Sequence, residues 1–155
     1  MKKQVRTEEV LKVYNIISTC KYNKMDDADK VKAWKVTRVL KPIATKFDED
    51  SKDAAEKMKP SEDFTERLVM AQDFERLRNE GGDIKESKMG PAEYDAFVKE
   101  FKDYNKLVND AVKEFADKEV EIEFEALSDD AFGKLMASNE WTMEQATTVG
   151  ELVCE

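Results

Sequence analysis

Residues 91–124 read PAEYDAFVKEFKDYNKLVNDAVKEFADKEVEIEF, and their hydrophobic period changes once. Tyr94, Phe97, Val98, Phe101, Tyr104, Val108, Ala111, Val112 and Phe115 recur at steps of three and four. On a helix this spacing makes one apolar stripe, with lysines and acids on the other side. Gly90-Pro91 marks the start, because proline suits the first helical turn, where its missing N–H would have had no partner. From Glu119 the pattern alternates, with Val120, Ile122 and Phe124 on one side and Glu119, Glu121, Glu123 and Glu125 on the other. That is the period of a half-buried strand. The rest of the chain must pack on these two pieces. The predicted fold is mainly α (α+β), with five or six helices around this long central helix and one small antiparallel sheet built around Val120–Phe124.

At the N-terminus, Met1–Arg6 reads either as a disordered arm or as an edge strand partnering Val120–Phe124. Thr7 reads as an N-cap with Glu8 and Glu9 in the first turn, where the helix dipole favours acids. Val10, Val13, Tyr14, Ile16, Ile17 and Cys20 give that helix an apolar side ending near Asn23. A second helix, capped by Asp26 or Asp27, buries Ala33, Val36, Leu40, Ile43, Ala44 and Phe47, with a kink or a break expected at Pro42 and helix resuming through Ala54, Ala55 and Met58. Pro60-Ser61 restarts the chain. Phe64, Leu68, Ala71, Phe74 and Leu77 define a third helix that stops at Gly81-Gly82. Asp83–Met89 is a polar connection with room for a short strand beside Glu119–Glu125. Ser128 caps a short helix through Met136, and Thr142 caps a last one through Val153, with Met143, Ala146, Val149 and Leu152 facing inward.

A chain of 155 residues with 41% hydrophobic content is expected to form a single domain, residues 1–155, with a modest core. It has no basic-then-apolar leader and no tract of about 18 apolar residues, so a soluble protein made in a cytoplasm is expected, with no membrane contact. A disulfide between Cys20 and Cys154 would tie a buried helix to a tail, so two reduced thiols are expected.

Histidine is absent, which removes the commonest general base and transition-metal ligand together with every Ser/His or Cys/His nucleophile. The 5 glycines form no phosphate-cradling loop. Asp48, Asp50, Asp53 and Glu56 lack the glycine and glutamate spacing of a calcium loop and read as a solvated helix face. Glu119, Glu121, Glu123 and Glu125 would need a pocket before neighbouring carboxylates could raise one another's pKa and act as acid and base. On a strand facing solvent they keep the sheet wet instead. No catalytic, cofactor-binding or metal site is therefore predicted, and the protein is read as non-enzymatic.

Charge distribution says more. Residues 1–46 hold 12 Lys or Arg and 5 Asp or Glu, whereas residues 47–155 hold 14 and 30, a balance of +7 against −16. Stepping 100° per residue along the second helix places Val31 and Trp34 among Lys30, Lys32, Lys35, Arg38 and Lys41, opposite the core side. An exposed tryptophan among cations suits an interface. Val31, Trp34, Lys35 and Arg38 are the predicted partner-binding residues. Net acidity repels a polyanion and no RNA-binding motif accompanies the basic face, so a protein partner is favoured over nucleic acid. The plainer alternative is that these lysines pair with acids of the same chain.

The segments Val10-Leu11 through Ile16, Ala33-Trp34-Lys35-Val36 to Leu40, Glu93-Tyr94 to Phe101, and Lys118-Glu119-Val120-Glu121-Ile122-Glu123-Phe124 followed by short terminal helices resemble a family of small acidic proteins encoded in tailed-bacteriophage genomes. The resemblance implies a phage context, and in that context a virion or assembly component, in the host cytoplasm and then the virion, with other phage proteins or copies of itself as partners. It implies as an alternative an acidic inhibitor of a host nucleic-acid-handling or defence protein. No functional residue follows from it.

Overall fold

A computed structural model describes residues 1–155. The order is β1 (Lys2–Arg6), α1 (Thr7–Ile17), α2 (Asp27–Lys57), α3 (Phe64–Asn79), α4 (Pro91–Asp117), β2 (Glu119–Glu123), α5 (Asp129–Ala137) and α6 (Met143–Val153). This is the expected mainly α architecture, with six α-helices and one two-stranded antiparallel sheet. The chain folds as two compact units, one made of Met1–Asp50 and Glu114–Glu155, the other of Ser51–Lys113. Each has its own hydrophobic cluster, so the apolar side chains form two cores where the sequence suggested one.

In the first unit the N-terminal segment is a strand. It pairs with β2 in the register Lys3↔Ile122 and Val5↔Val120 on one face and Lys2↔Glu123, Gln4↔Glu121 and Arg6↔Glu119 on the other. Because side chains alternate, Val5, Ile122 and Phe124 go inward with Val10, Val13, Val36, Leu40, Leu135, Val149 and Leu152, while the acids of β2 stay exposed. Asp83–Met89 adds no third strand and holds only a single 3₁₀ turn, Ile84–Glu86, capped by the Asp83 carboxylate on Lys85 N. Without alternating apolar residues, it has no face to bury on a sheet.

Thr7 is not the cap of α1 but its first residue, and it is buried. Its hydroxyl and its backbone N–H both donate to the Lys118 carbonyl, at 2.8 and 2.9 Å, which locks the start of α1 to the entry of β2. Arg6 takes the cap position, and the Glu9 carboxylate accepts from its N–H. We expect Thr7→Val, which keeps the shape and removes the hydroxyl donor, to cost about 1 kcal/mol in denaturant unfolding. An unchanged midpoint would show that the backbone bond alone holds this junction.

α1 ends at Ile17, short of Asn23, and Cys20 lies in the following turn. The loop there exchanges bonds with the end of α5: Lys21 N–H donates to Asn139 Oδ1, Asn139 Nδ2 donates to the Lys21 carbonyl, and Lys24 N–H donates to Ser138 Oγ. These bonds replace the ones further helix would have made. Cys20 and Cys154 are free thiols, and burial pushes each above the usual thiol range. Burial likewise pushes the Tyr22 hydroxyl up to about 12, with hydrogen bonding to Cys20 adding to it.

α2 runs for 31 residues straight through Pro42, with no break. Pro42 removes only the donor to Arg38 and sits on the exposed side, while Leu40 and Ala44 anchor the opposite side in the core. Asp48, Asp50, Asp53 and Glu56 all lie on this continuous helix. The terminal caps form as expected, with Ser128 Oγ accepting from Ala131 N–H and Thr142 Oγ1 from Gln145 N–H. Met143 is the correction in α6: as the first residue after the cap it points to solvent, while Ala146, Val149 and Leu152 are buried.

The second unit is built on aromatic packing. Phe64, at the first position of α3, stacks among Phe97, Phe101 and Tyr104 of α4 with ring centroids 5.4, 6.2 and 4.7 Å away. Phe74 stacks on Tyr94 at 4.5 Å. Val98, expected in the apolar stripe, is exposed because it lies about 80° from the stripe's centre at 100° per residue. α3 closes at Gly81, whose φ of 72° favours glycine.

Arg67 joins the two helices, donating from Nη1 and Nη2 to the two carboxylate oxygens of Glu100 at 2.6 and 3.0 Å and from Nη2 to Ser61 Oγ. This fork holds the Glu100 carboxyl below the usual carboxylate range. The Ser61 hydroxyl, followed by Arg67, does the same for Asp63. A carboxyl depressed in the folded state contributes stability that is present above its unfolded value and lost as pH falls through its folded value. Stability should therefore fall in acid, from about pH 4 downwards. Glu100→Gln should reduce stability near neutral pH and flatten that acid slope, as read from denaturant unfolding at several pH values. An unaltered slope would remove the pair from the account.

Candidate partner-binding surface

Helix propensity and core packing position the surface on α2. Ala33, Val36, Leu40 and Ala44 are buried, which turns the positions between them outward. Between Lys30 and Lys46 the helix holds six cations, Lys30, Lys32, Lys35, Arg38, Lys41 and Lys46, and no acid. Three are paired within the chain: Lys30 with Asp27 at 3.5 Å, Lys32 with Glu125 at 3.1 Å and Lys46 with Asp50 at 2.8 Å. Lys35, Arg38 and Lys41 have no acidic partner, so same-chain pairing accounts for the flanks of the basic arc and not for its centre.

Val31 and Trp34 project from that centre, 50% and 52% exposed. Val31, Trp34, Lys35 and Arg38 follow the i, i+3, i+4, i+7 spacing of one helix face. The Arg38 guanidinium carbon lies 5.3 Å from the Trp34 ring centroid. An exposed cation–π contact of this kind contributes about 0.5–1 kcal/mol and orients the indole. All four residues predicted for partner binding are therefore on one exposed face. Chemically it offers flat apolar area and a planar donor fork, which suit an apolar contact rimmed by carboxylates.

The charge asymmetry folds differently from its linear order. Residues 1–50 hold 12 cations and 8 acids and residues 114–155 hold 2 and 12, yet both segments make the same unit. Glu123 and Glu119 of β2 lie opposite Lys2 and Arg6 of β1, Lys2 reaches diagonally to Glu121 at 2.9 Å, and Arg6 pairs with Asp117 at the end of α4 at 3.0 Å. Glu119, Glu121 and Glu123 are exposed to solvent. At the exit of β2 an open depression of about 530 Å³ is lined by Glu125, Asp129 and Glu155 around Ala126 and Leu127, together with Met1 and Lys32, the latter paired with Glu125. Sequence reading missed this feature, because Glu155 is brought there by the pairing of Leu127 with Cys154.

No helix is long and apolar enough to cross a membrane. Comparison with known proteins finds no match for this chain among family models, curated proteins or solved structures.

Proposed function

We propose that this chain is a non-enzymatic structural or assembly protein of a tailed bacteriophage, working through protein–protein contacts at the Val31, Trp34, Lys35 and Arg38 face of α2. The observation that carries the contact is the exposed Trp34–Arg38 stack at the centre of an unpaired basic arc. A large aromatic held in place by its own neighbour loses little freedom when a partner covers it. The phage context comes from the resemblance of the four segments named above. The missing histidine and phosphate loop support a role outside catalysis. Mass spectrometry of purified particles tests the reading, and the expected result is the protein at a fixed copy number per particle. Its absence from particles and from their assembly intermediates would overturn it.

A second reading is favoured by the 12 acids and 2 lysines of residues 114–155. Such a surface can occupy the nucleic-acid groove of a host protein as an inhibitor. It predicts a salt-sensitive complex with one host nuclease or polymerase in a low-salt pull-down, displaced by added DNA. Recovery of phage proteins alone would count against it.

A further inference from the structure

We infer that the occupant of the α2 face is a second copy of this chain, docking head to tail with its acidic depression at the exit of β2. This rests on the protein–protein reading above and names the partner. The first support is charge complementarity within one unit. One surface has Lys35, Arg38 and Lys41 without acidic partners around an exposed indole. The other has Asp129, Glu155 and Glu125, the last paired with Lys32 at 3.1 Å, around Ala126 and Leu127 in a depression of about 530 Å³ that Met1 and Lys32 also line. Bringing unlike surfaces together is attractive at contact, while two copies meeting through like surfaces repel, so the contact is oriented.

The second support is direction. Lys32 borders the depression and Trp34 lies in the basic face, two residues apart on α2, which is about 200° of rotation at 100° per residue. Trp34 faces away from the depression, while Lys35, about 60° from Lys32 around the helix, lies between the two surfaces. A molecule cannot fill its own depression with its own Trp34, and an interface joining two unlike patches is heterologous. It propagates as a chain or ring of copies and does not stop at a two-fold dimer. The net charge of −9 opposes approach at long range. At roughly 0.15 M salt that repulsion is screened beyond about 8 Å, while the contact pairs persist.

Sedimentation velocity of the full chain over a range of concentrations tests this, at about 0.15 M and about 1 M salt. The expected result is a sedimentation coefficient that keeps rising past the dimer at the lower salt and less steeply at the higher. Trp34→Ala and the double variant Glu125→Gln, Asp129→Asn should each weaken association at least tenfold, about 1.4 kcal/mol, with unchanged circular dichroism and melting. Each variant keeps one surface intact, so their equimolar mixture should form dimers and nothing longer. A chain that stays monomeric at every concentration, or a closed dimer indifferent to both variants, overturns the inference. So does a monomer whose tryptophan emission is quenched by a single-stranded oligonucleotide, which would assign the face to nucleic acid. The assembly reading fails separately, by the protein's absence from particles.

Discussion

Replacing Phe64 by alanine should destabilise the Ser51–Lys113 unit by about 3–5 kcal/mol, the largest effect expected from a single truncation in this chain. Phe64 is 2% exposed and sits at the first position of α3, so its ring links the start of that helix to α4 as Phe74 links its later turns. Three aromatic rings, Phe97, Phe101 and Tyr104, surround it. They cannot collapse into the space it leaves, because Phe97 is already packed under Arg67 and the Tyr104 hydroxyl donates to the Ala55 carbonyl at 2.6 Å. The cavity term therefore adds to the lost burial. Denaturant unfolding gives the size of the effect, and amide exchange over residues 64–104 assigns it to this unit. A loss below about 1 kcal/mol would mean that the cluster repacks freely. Phe64→Leu, which retains most of the volume, should recover more than half of the loss.

Trp34→Ala is expected to give the second largest effect, in binding and not in folding. Association should weaken by about 2 kcal/mol or more, roughly thirtyfold, which is the magnitude of an interface hot spot. Stability should change by less than about 1 kcal/mol, the size of the Arg38 contact that is lost. The separation follows from the position of Trp34 on α2, 52% exposed while Leu40 on the opposite side is fully buried. Arg38→Lys should give an intermediate loss, since an ammonium keeps the charge but not the planar stack on the indole. Thermal unfolding and a binding isotherm for each variant check both halves. A large drop in melting temperature with intact association would reverse the assignment of the face.

Much of this fold is legible in the sequence because it is set by local rules. The stripe from Tyr94 to Phe115, the alternation from Glu119 to Phe124, the caps Ser128 and Thr142 and the stop at Gly81 each depend on periodicity or on groups within four residues. The outward face of α2 is legible for the same reason, since one helical period and one buried side determine the other. Two readings failed where a local signal met a tertiary demand. Thr7 resembled a cap, but the Lys118 carbonyl, 111 residues away, uses its hydroxyl. Residues to Asn23 resembled helix, but Asn139 and Ser138 take over the backbone groups there.

Local period and capping thus set where helices and strand begin and which of their sides is apolar, because those properties depend on neighbours three or four positions away. Long-range packing sets the pairing of β1 with β2, brings the basic first 50 residues and the acidic last 42 into one unit, and leaves Lys35, Arg38 and Lys41 without acids while Lys2, Arg6 and Lys32 find them. The reason is physical. An ion pair or a strand register here depends on distances between residues more than ninety positions apart, and nothing in the local period of either segment encodes that separation.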